Sequence, residues 1–164
     1  MFARDRWKTW KNGGASAVLG FCSAALISAA AQAECTPDRL EIITKSASLN
    51  FSVEVADTLD EQELGLMNRT QMASASGMLF AFDAPKRAQF WMKNTLIPLD
   101  MLFADQNGQI TRVHENAIPQ DLSVIDGGEG VKFVLEINGG LARRMGVQAA
   151  DKLMHPAIGN CPAS

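Results

Sequence analysis

The sequence predicts a mainly β domain, a compact antiparallel barrel or sandwich interrupted by two short helices. Three observations carry this. Apolar residues alternate with polar ones in short runs, those runs are bounded by Gly, Pro, Asn or Asp, and only two segments carry helix signals.

Taken in order, "LEII" (Leu40 to Ile43) pairs naturally with "LNFSVEVA", where Leu49, Phe51, Val53 and Val55 alternate with Asn50, Ser52 and Glu54. Thr58-Leu59-Asp60-Glu61 fits a capping box, in which hydroxyl and carboxylate satisfy free N–H groups at a helix start. Leu64 and Met67 in that helix are expected to face the core. The strands "GMLFAF", "QFWMK", "DMLFAD", "QITRVHE" and "VKFVLEI" follow, and Asp105-Gln106-Asn107-Gly108 carries the Asn-Gly signal of a hairpin turn. "IPQDLSVIDGGEG" (Ile118 to Gly130) reads as a polar loop. The second helix is "GGLARRMG", with Leu141 and Met145 four apart and Gly146 placed to stop it.

Residues 1–33 have the pattern of a secretory leader. Arg4, Arg6, Lys8 and Lys11 precede an apolar run from Ala15 to Ala30, and Ala31-Gln32-Ala33 offers small residues for cleavage after Ala33. The run is shorter than the ~20 apolar residues of a spanning helix, and it is rich in Ala, Gly and Ser. The expected product is a periplasmic or secreted protein of one β-rich domain, residues 34–164, with no membrane attachment after cleavage. That stretch holds 11 basic and 17 acidic side chains, a net of −6, which argues against nucleic acid as a partner. Its two cysteines, Cys35 and Cys161, stand at opposite ends, and an oxidising compartment would join them.

The chain has no HExxH, CxxC, G-x-S-x-G, Walker or GxGxxG motif, and nothing asks for a cofactor. Seven methionines between Met67 and Met154 raise the question of Cu(I), but six of them lie in apolar stretches or at helical core spacing and none forms a Met-x-x-Met cluster, so packing is the expected role and no metal is expected. What stands out is polar residues inside apolar strands. In "FWMKN", alternation would put Phe90, Met92 and Asn94 on one face and Trp91 and Lys93 on the other. In "VKFVLEI" it sets Lys132, Val134 and Glu136 against Phe133, Leu135 and Ile137. A Trp beside a Lys suits ligand stacking, and equally a barrel-end Trp that caps the core. Asp100 and Glu136 are the acids most embedded in apolar sequence. They would serve acid/base chemistry, or Asp100 would cap a turn or pair with Lys93 or Arg69.

Three blocks, "GLMNRTQMASASGMLFAF", "FWMKNTLIPLDMLFAD" and "VLEINGGLARRMGVQAADKL", resemble the signature of an exported family, domain of unknown function 192. The resemblance spans about residues 49 to 155 and departs at Ala150-Asp151, where the family pattern usually reads Gly-Asp and a slightly different turn is therefore expected. It implies a barrel-like single domain behind a signal peptide and brings no function. Packing and turns explain the matched Gly, Phe and Leu positions. They do not explain Arg69, Lys93, Asn94, Asp100 and Glu136, because a core does not require charge.

The leading expectation is a binding or accessory domain with a cleft floored by Phe90, Trp91 and Met92. Arg69, Lys93, Asn94 and Lys132 would offer donors to a small anionic or hydroxyl-rich molecule, with Asp100 and Glu136 orienting them. The alternatives are a small hydrolase or isomerase using Asp100 or Glu136, and an interaction domain in which these charges are an internal network and the protein partner is unknown.

Overall fold

A computed structural model describes residues 35–161; the expected leader and its cleavage point lie outside the described residues. Seven strands form one curled sheet, a half-barrel: β1 (Arg39–Ile43), β2 (Ser48–Ala56), β3 (Ser76–Phe90), β4 (Leu99–Ala104), β5 (Ile110–Ala117), β6 (Ile125–Asn138) and β7 (Lys152–Met154). Helix α1 (Leu59–Leu64) lies between β2 and β3, and α2 (Leu141–Met145) between β6 and β7. The strand order is β5-β4-β6-β3-β2-β1-β7. The fold class and the two helices are as the sequence predicts.

The pairing departs from expectation in one place. β2 and β3 run parallel, with Ser52 opposite Ser76 and Ala56 opposite Phe80, whereas every other pair of strands is antiparallel. Parallel neighbours cannot be joined by a tight turn, so the chain needs a crossover. Residues 57–75, with α1 at their start, provide it.

Two strands are longer than their sequence patterns suggest. "GMLFAF" and the start of "QFWMK" belong to one strand, β3, which continues through bulges between Ala81 and Gln89. Its partner β6 absorbs the Gly-rich end of the expected 118–130 loop. Trp91, Met92 and Lys93 fall beyond the end of β3, so the face alternation expected for "FWMKN" does not apply.

Both faces of the sheet are covered. One buries Leu40, Ile42, Phe51, Leu79, Leu135 and Leu153 with Leu141 of α2; the other buries Phe80, Phe82, Met92, Met101, Phe103 and Val134 with Leu66. Alternation along each strand distributes residues between these clusters, as Leu79 and Phe80 do. The capping box at Thr58 forms as expected, with Glu61 accepting from the Thr58 backbone N–H at 3.1 Å. Leu64 does not reach the core and is 58 % exposed. The helix stops at Gly65, and Leu66, just past it, takes the buried place.

The two edges of the sheet meet at one corner. Gln109 bridges Lys152, the Leu153 N–H donates to the Gly108 carbonyl at 2.7 Å, and the Ala150 N–H donates to the Ile110 carbonyl at 2.8 Å. Gly108, in the expected turn after β4, has φ +79°, and a Cβ there would lie 2.4 Å from the Leu153 carbonyl oxygen. Only glycine satisfies both the turn and the corner.

Ala150 takes φ +77°, a conformation that costs an L-residue roughly 1 kcal/mol relative to glycine. The backbone there is the glycine type even though the residue is alanine. Ala150→Gly is therefore expected to raise stability by up to about 1 kcal/mol, the relieved strain less the greater entropy of the unfolded chain. Urea midpoints of the two proteins check it.

Cys35 and Cys161 are joined, with Cα atoms 6.0 Å apart. Next to them His155 is buried. Its Nε2 contacts the Pro37 carbonyl at 2.9 Å, its Nδ1 accepts from the Ala157 N–H at 3.0 Å, and burial holds its pKa below the usual histidine value. Together these groups fix the first strand to the last. Cys35→Ser with Cys161→Ser is expected to lower stability by about 3 kcal/mol, within the range for a native bridge closing a long loop. Chemical denaturation against the bridged protein measures it, and equal midpoints would refute it.

Candidate functional site

The crossover stands off from the sheet and leaves a cleft of about 700 Å3 between them. One wall is α1 and the turn after it, from Leu59 to Met67; the floor is Phe80, Phe82, Phe90 and Glu136; the far wall carries Lys86, Arg87, Gln89, Trp91, Lys93, Asn94 and Thr95. Phe90 stands edge-on to Phe80 and to Phe103, with centroids 5.2 and 5.9 Å apart, so the aromatic floor is internally braced. Gly65 belongs to the same packing: at φ +48°, its absent side chain leaves room for the Phe80 ring, which a Cβ would approach to 3.2 Å.

Glu136 is the unusual member. It is 4 % exposed, its strand neighbours are Met78 and Met101, and no donor among the described residues reaches its carboxylate. Burial alone pushes its pKa up to about 8, because an ion there loses water and gains no partner.

The remaining expected site residues divide sharply. Phe90, Trp91, Lys93 and Asn94 line the cleft with Glu136. Trp91 is 50 % exposed at the mouth, and the Lys93 ammonium lies 5.2 Å from its ring centroid. Asn94 has a structural reason of its own. With φ +55° it forms the turn in which the Thr95 N–H donates to the Met92 carbonyl at 3.1 Å, and its carbonyl accepts from the Asn68 N–H at 2.8 Å. That bond ties the far wall to the crossover.

Met92, Arg69, Lys132 and Asp100 do not line the cleft. Met92 is fully buried in the core beneath it, because the chain leaves β3 before reaching this residue. Arg69 turns away to a bidentate pair with Glu54 at 2.6 and 2.7 Å. Lys132 donates to the Asp83 carbonyl at 2.7 Å. Asp100 is fully buried and accepts from the N–H groups of Asn116, Gly140 and Ala142 at 2.6, 2.8 and 2.7 Å. Gly140 precedes α2 and has no side chain to cap it, so a carboxylate from β4 supplies the cap.

An Asp100–Glu136 catalytic pair is excluded by register. Asp100 is opposite Ile137, and Met101 is opposite Glu136, so the two acids lie on opposite faces of the sheet. Asp100 therefore caps a turn, one of the alternatives its sequence context offered; it does not pair with Lys93 or Arg69.

The α1 wall and the Phe80, Phe82, Lys86, Arg87 and Gln89 positions were not singled out by sequence reasoning. The signal for the wall is that "LDEQEL" is too polar and too short for a core helix, and two of its leucines, Leu59 and Leu64, remain exposed. Gln62 anchors it, donating to the carbonyls of Ala56 and Ala81 at 3.3 and 3.0 Å.

Two solved structures are similar over most of this chain. One is a candidate transcription regulator from Sinorhizobium meliloti 1021, 41 % identical with a TM-score of 0.72, covering 77 % of this chain and 98 % of that one. The other is a protein of unknown function from Novosphingobium aromaticivorans DSM 12444, 38 % identical with a TM-score of 0.69, covering 71 % and 83 %. Among curated proteins none matches. The sequence profile of the DUF192 family, described as "Uncharacterized ACR", matches residues 41–155. Since that match takes in β2 to β7, most of β1, both helices and every residue lining the cleft, the chain belongs to the DUF192 family.

Proposed function

We propose that this chain is an exported binding domain whose cleft takes a small ligand with an apolar body and at least one hydrogen-bonding head. The observation that carries the reading is Glu136: a side chain 4 % exposed, with no partner among the described residues, whose carboxyl opens onto an aromatic cleft. Burying such a group costs free energy, and a fold gains nothing from it unless something else completes it. The cleft volume falls within the roughly 300–1,000 Å3 common for small-ligand sites. Phe80 and Phe90 offer the ligand apolar surface, and Trp91 offers a stacking face at the mouth. Export is supported by the leader-like residues 1–33 and by the Cys35–Cys161 bridge, which an oxidising compartment would preserve.

A nucleic-acid-binding role, which the regulator description of the S. meliloti protein would suggest, has little support in a net charge of −6 over residues 34–164.

Thermal-shift and tryptophan-fluorescence screening against amino acids, short peptides, sugars and hydroxylated amphiphiles tests the reading. A hit is expected to lose its fluorescence change in Trp91→Phe and its stabilisation in Glu136→Ala. Hits that survive both substitutions would place the ligand elsewhere, and a screen without hits at millimolar concentrations would overturn the proposal.

A further inference from the structure

The charges around the cleft are arranged in a way that narrows the ligand class, given that the cleft binds a ligand at all. Among the described residues the only acid on its floor is Glu136. On the far wall stand three cations, and one of them is already neutralised, because Arg87 pairs with both Asp126 and Glu129. Lys86 and Lys93 are different. Their ammonium groups lie over the Phe82 and Trp91 rings, at 3.6 and 5.2 Å, and among the described residues neither pairs with a carboxylate. The opposite wall carries one more acid, Glu63, on α1. The floor around that acid is aromatic, formed by Phe80, Phe82 and Phe90, and the exposed Leu59 and Leu64 carry apolar surface out along the α1 wall.

We propose that the cleft binds a short apolar peptide with free ends, its amino terminus on the Glu136 carboxylate and its terminal carboxylate at Lys86 and Lys93. The rim charges fit this orientation, since an ammonium placed outward would meet two like charges. A sugar lying on the floor would bring many hydroxyls, each needing a polar partner, onto three aromatic rings and Glu136. The polar side chains Gln62, Gln89, Asn94 and Thr95 stand on the walls, and Gln62 is already committed to the Ala56 and Ala81 carbonyls. Leucine-like side chains instead rest on Phe80, Phe90 and Leu64. An ammonium also favours the ionised carboxyl, so a peptide arriving at neutral pH displaces the proton that burial keeps on Glu136, and that proton goes to solvent.

Isothermal calorimetry on the full chain with trileucine, N-acetyl-trileucine and trileucine amide tests this. Trileucine is expected to bind. N-acetylation should weaken binding at least tenfold and amidation three- to tenfold. Titrations at pH 7 in buffers of differing ionisation enthalpy should show release approaching one proton per peptide. Glu136→Gln should abolish both the proton release and the preference for a free amine, while Lys86→Ala with Lys93→Ala removes only the preference for a free carboxylate. Equal affinity for the free and acetylated peptides would overturn the assignment, as would proton release that persists in Glu136→Gln. If trileucine is silent while hydroxylated amphiphiles still bind and report through Trp91, the cleft remains a binding site and the peptide assignment falls. Silence of every probe removes both readings.

Discussion

Glu136→Gln is expected to make the protein more stable at pH 9, by as much as about 5 kcal/mol, and nearly unchanged at pH 4.5. The folded carboxyl has its pKa raised to about 8 from an ordinary 4.5, so the folded state holds a proton that the unfolded state gives up. The stability associated with this group is fully present below about 4.5 and is lost as pH rises to about 8. A shift of this size converts at about 1.4 kcal/mol per pH unit, and solvent entering the cleft would reduce the amount. Glutamine cannot ionise, so the variant should show no corresponding slope. Urea unfolding from pH 4.5 to 9 measures both curves, and parallel pH dependence in the two proteins would show that Glu136 has a partner after all.

Asp100→Ala should produce the opposite kind of result, a loss of about 5 kcal/mol or more with no gain at any pH. Its carboxylate accepts from three backbone N–H groups, and each charge-assisted bond of this kind contributes about 1.5–3 kcal/mol. Alanine leaves three donors without an acceptor, two of them on residues with positive φ, Asn116 and Gly140. Asp100→Asn separates the contributions. Its remaining carbonyl can serve Asn116 and Gly140, but its amide would point a donor at the Ala142 N–H. Amide hydrogen exchange should therefore accelerate at residue 142 before the other two. If Asp100→Ala unfolds at the same urea concentration as the parent, the cap at α2 is not what holds this corner.

These two acids show how far sequence reasoning reaches. Both stand out because each is a carboxylate in an apolar strand, and that signal is the same for both. Their fates differ by one step of register: Asp100 opposite Ile137, Met101 opposite Glu136. Register follows from which strands pair, and period-two alternation does not encode partners. The same gap hid the parallel β2–β3 pair and the crossover above it, and with the crossover went one wall of the cleft. Strand positions with clean alternation, such as Phe51, Val53 and Leu135, were legible, and so were the capping box at Thr58 and the turn at Gly108. Alternation failed where bulges break it, across Asp83 to Arg87 of β3 and the glycines of β6. Cleft residues Phe90, Trp91, Lys93 and Asn94 were found because their mixture of aromatic and polar types fits no ordinary strand. Met92, between them, shows that neighbours in sequence need not share a surface.

The bridge between Cys35 and Cys161 makes the described chain a covalent circle, and a circle has no privileged starting point. One cleavage at the partly exposed bulge of β6, Gly128 to Gly130, would not release a fragment. It would turn the circle into a single line beginning in the middle of β6, with its former ends still linked beside β1 and β7. A genetic version, with residues 35 and 161 fused by a short linker and new ends opened at that bulge, should keep the same sheet order and the same cleft. In this protein the order of strands along the gene and the order of strands in space are separable, and the join at its two ends is what separates them.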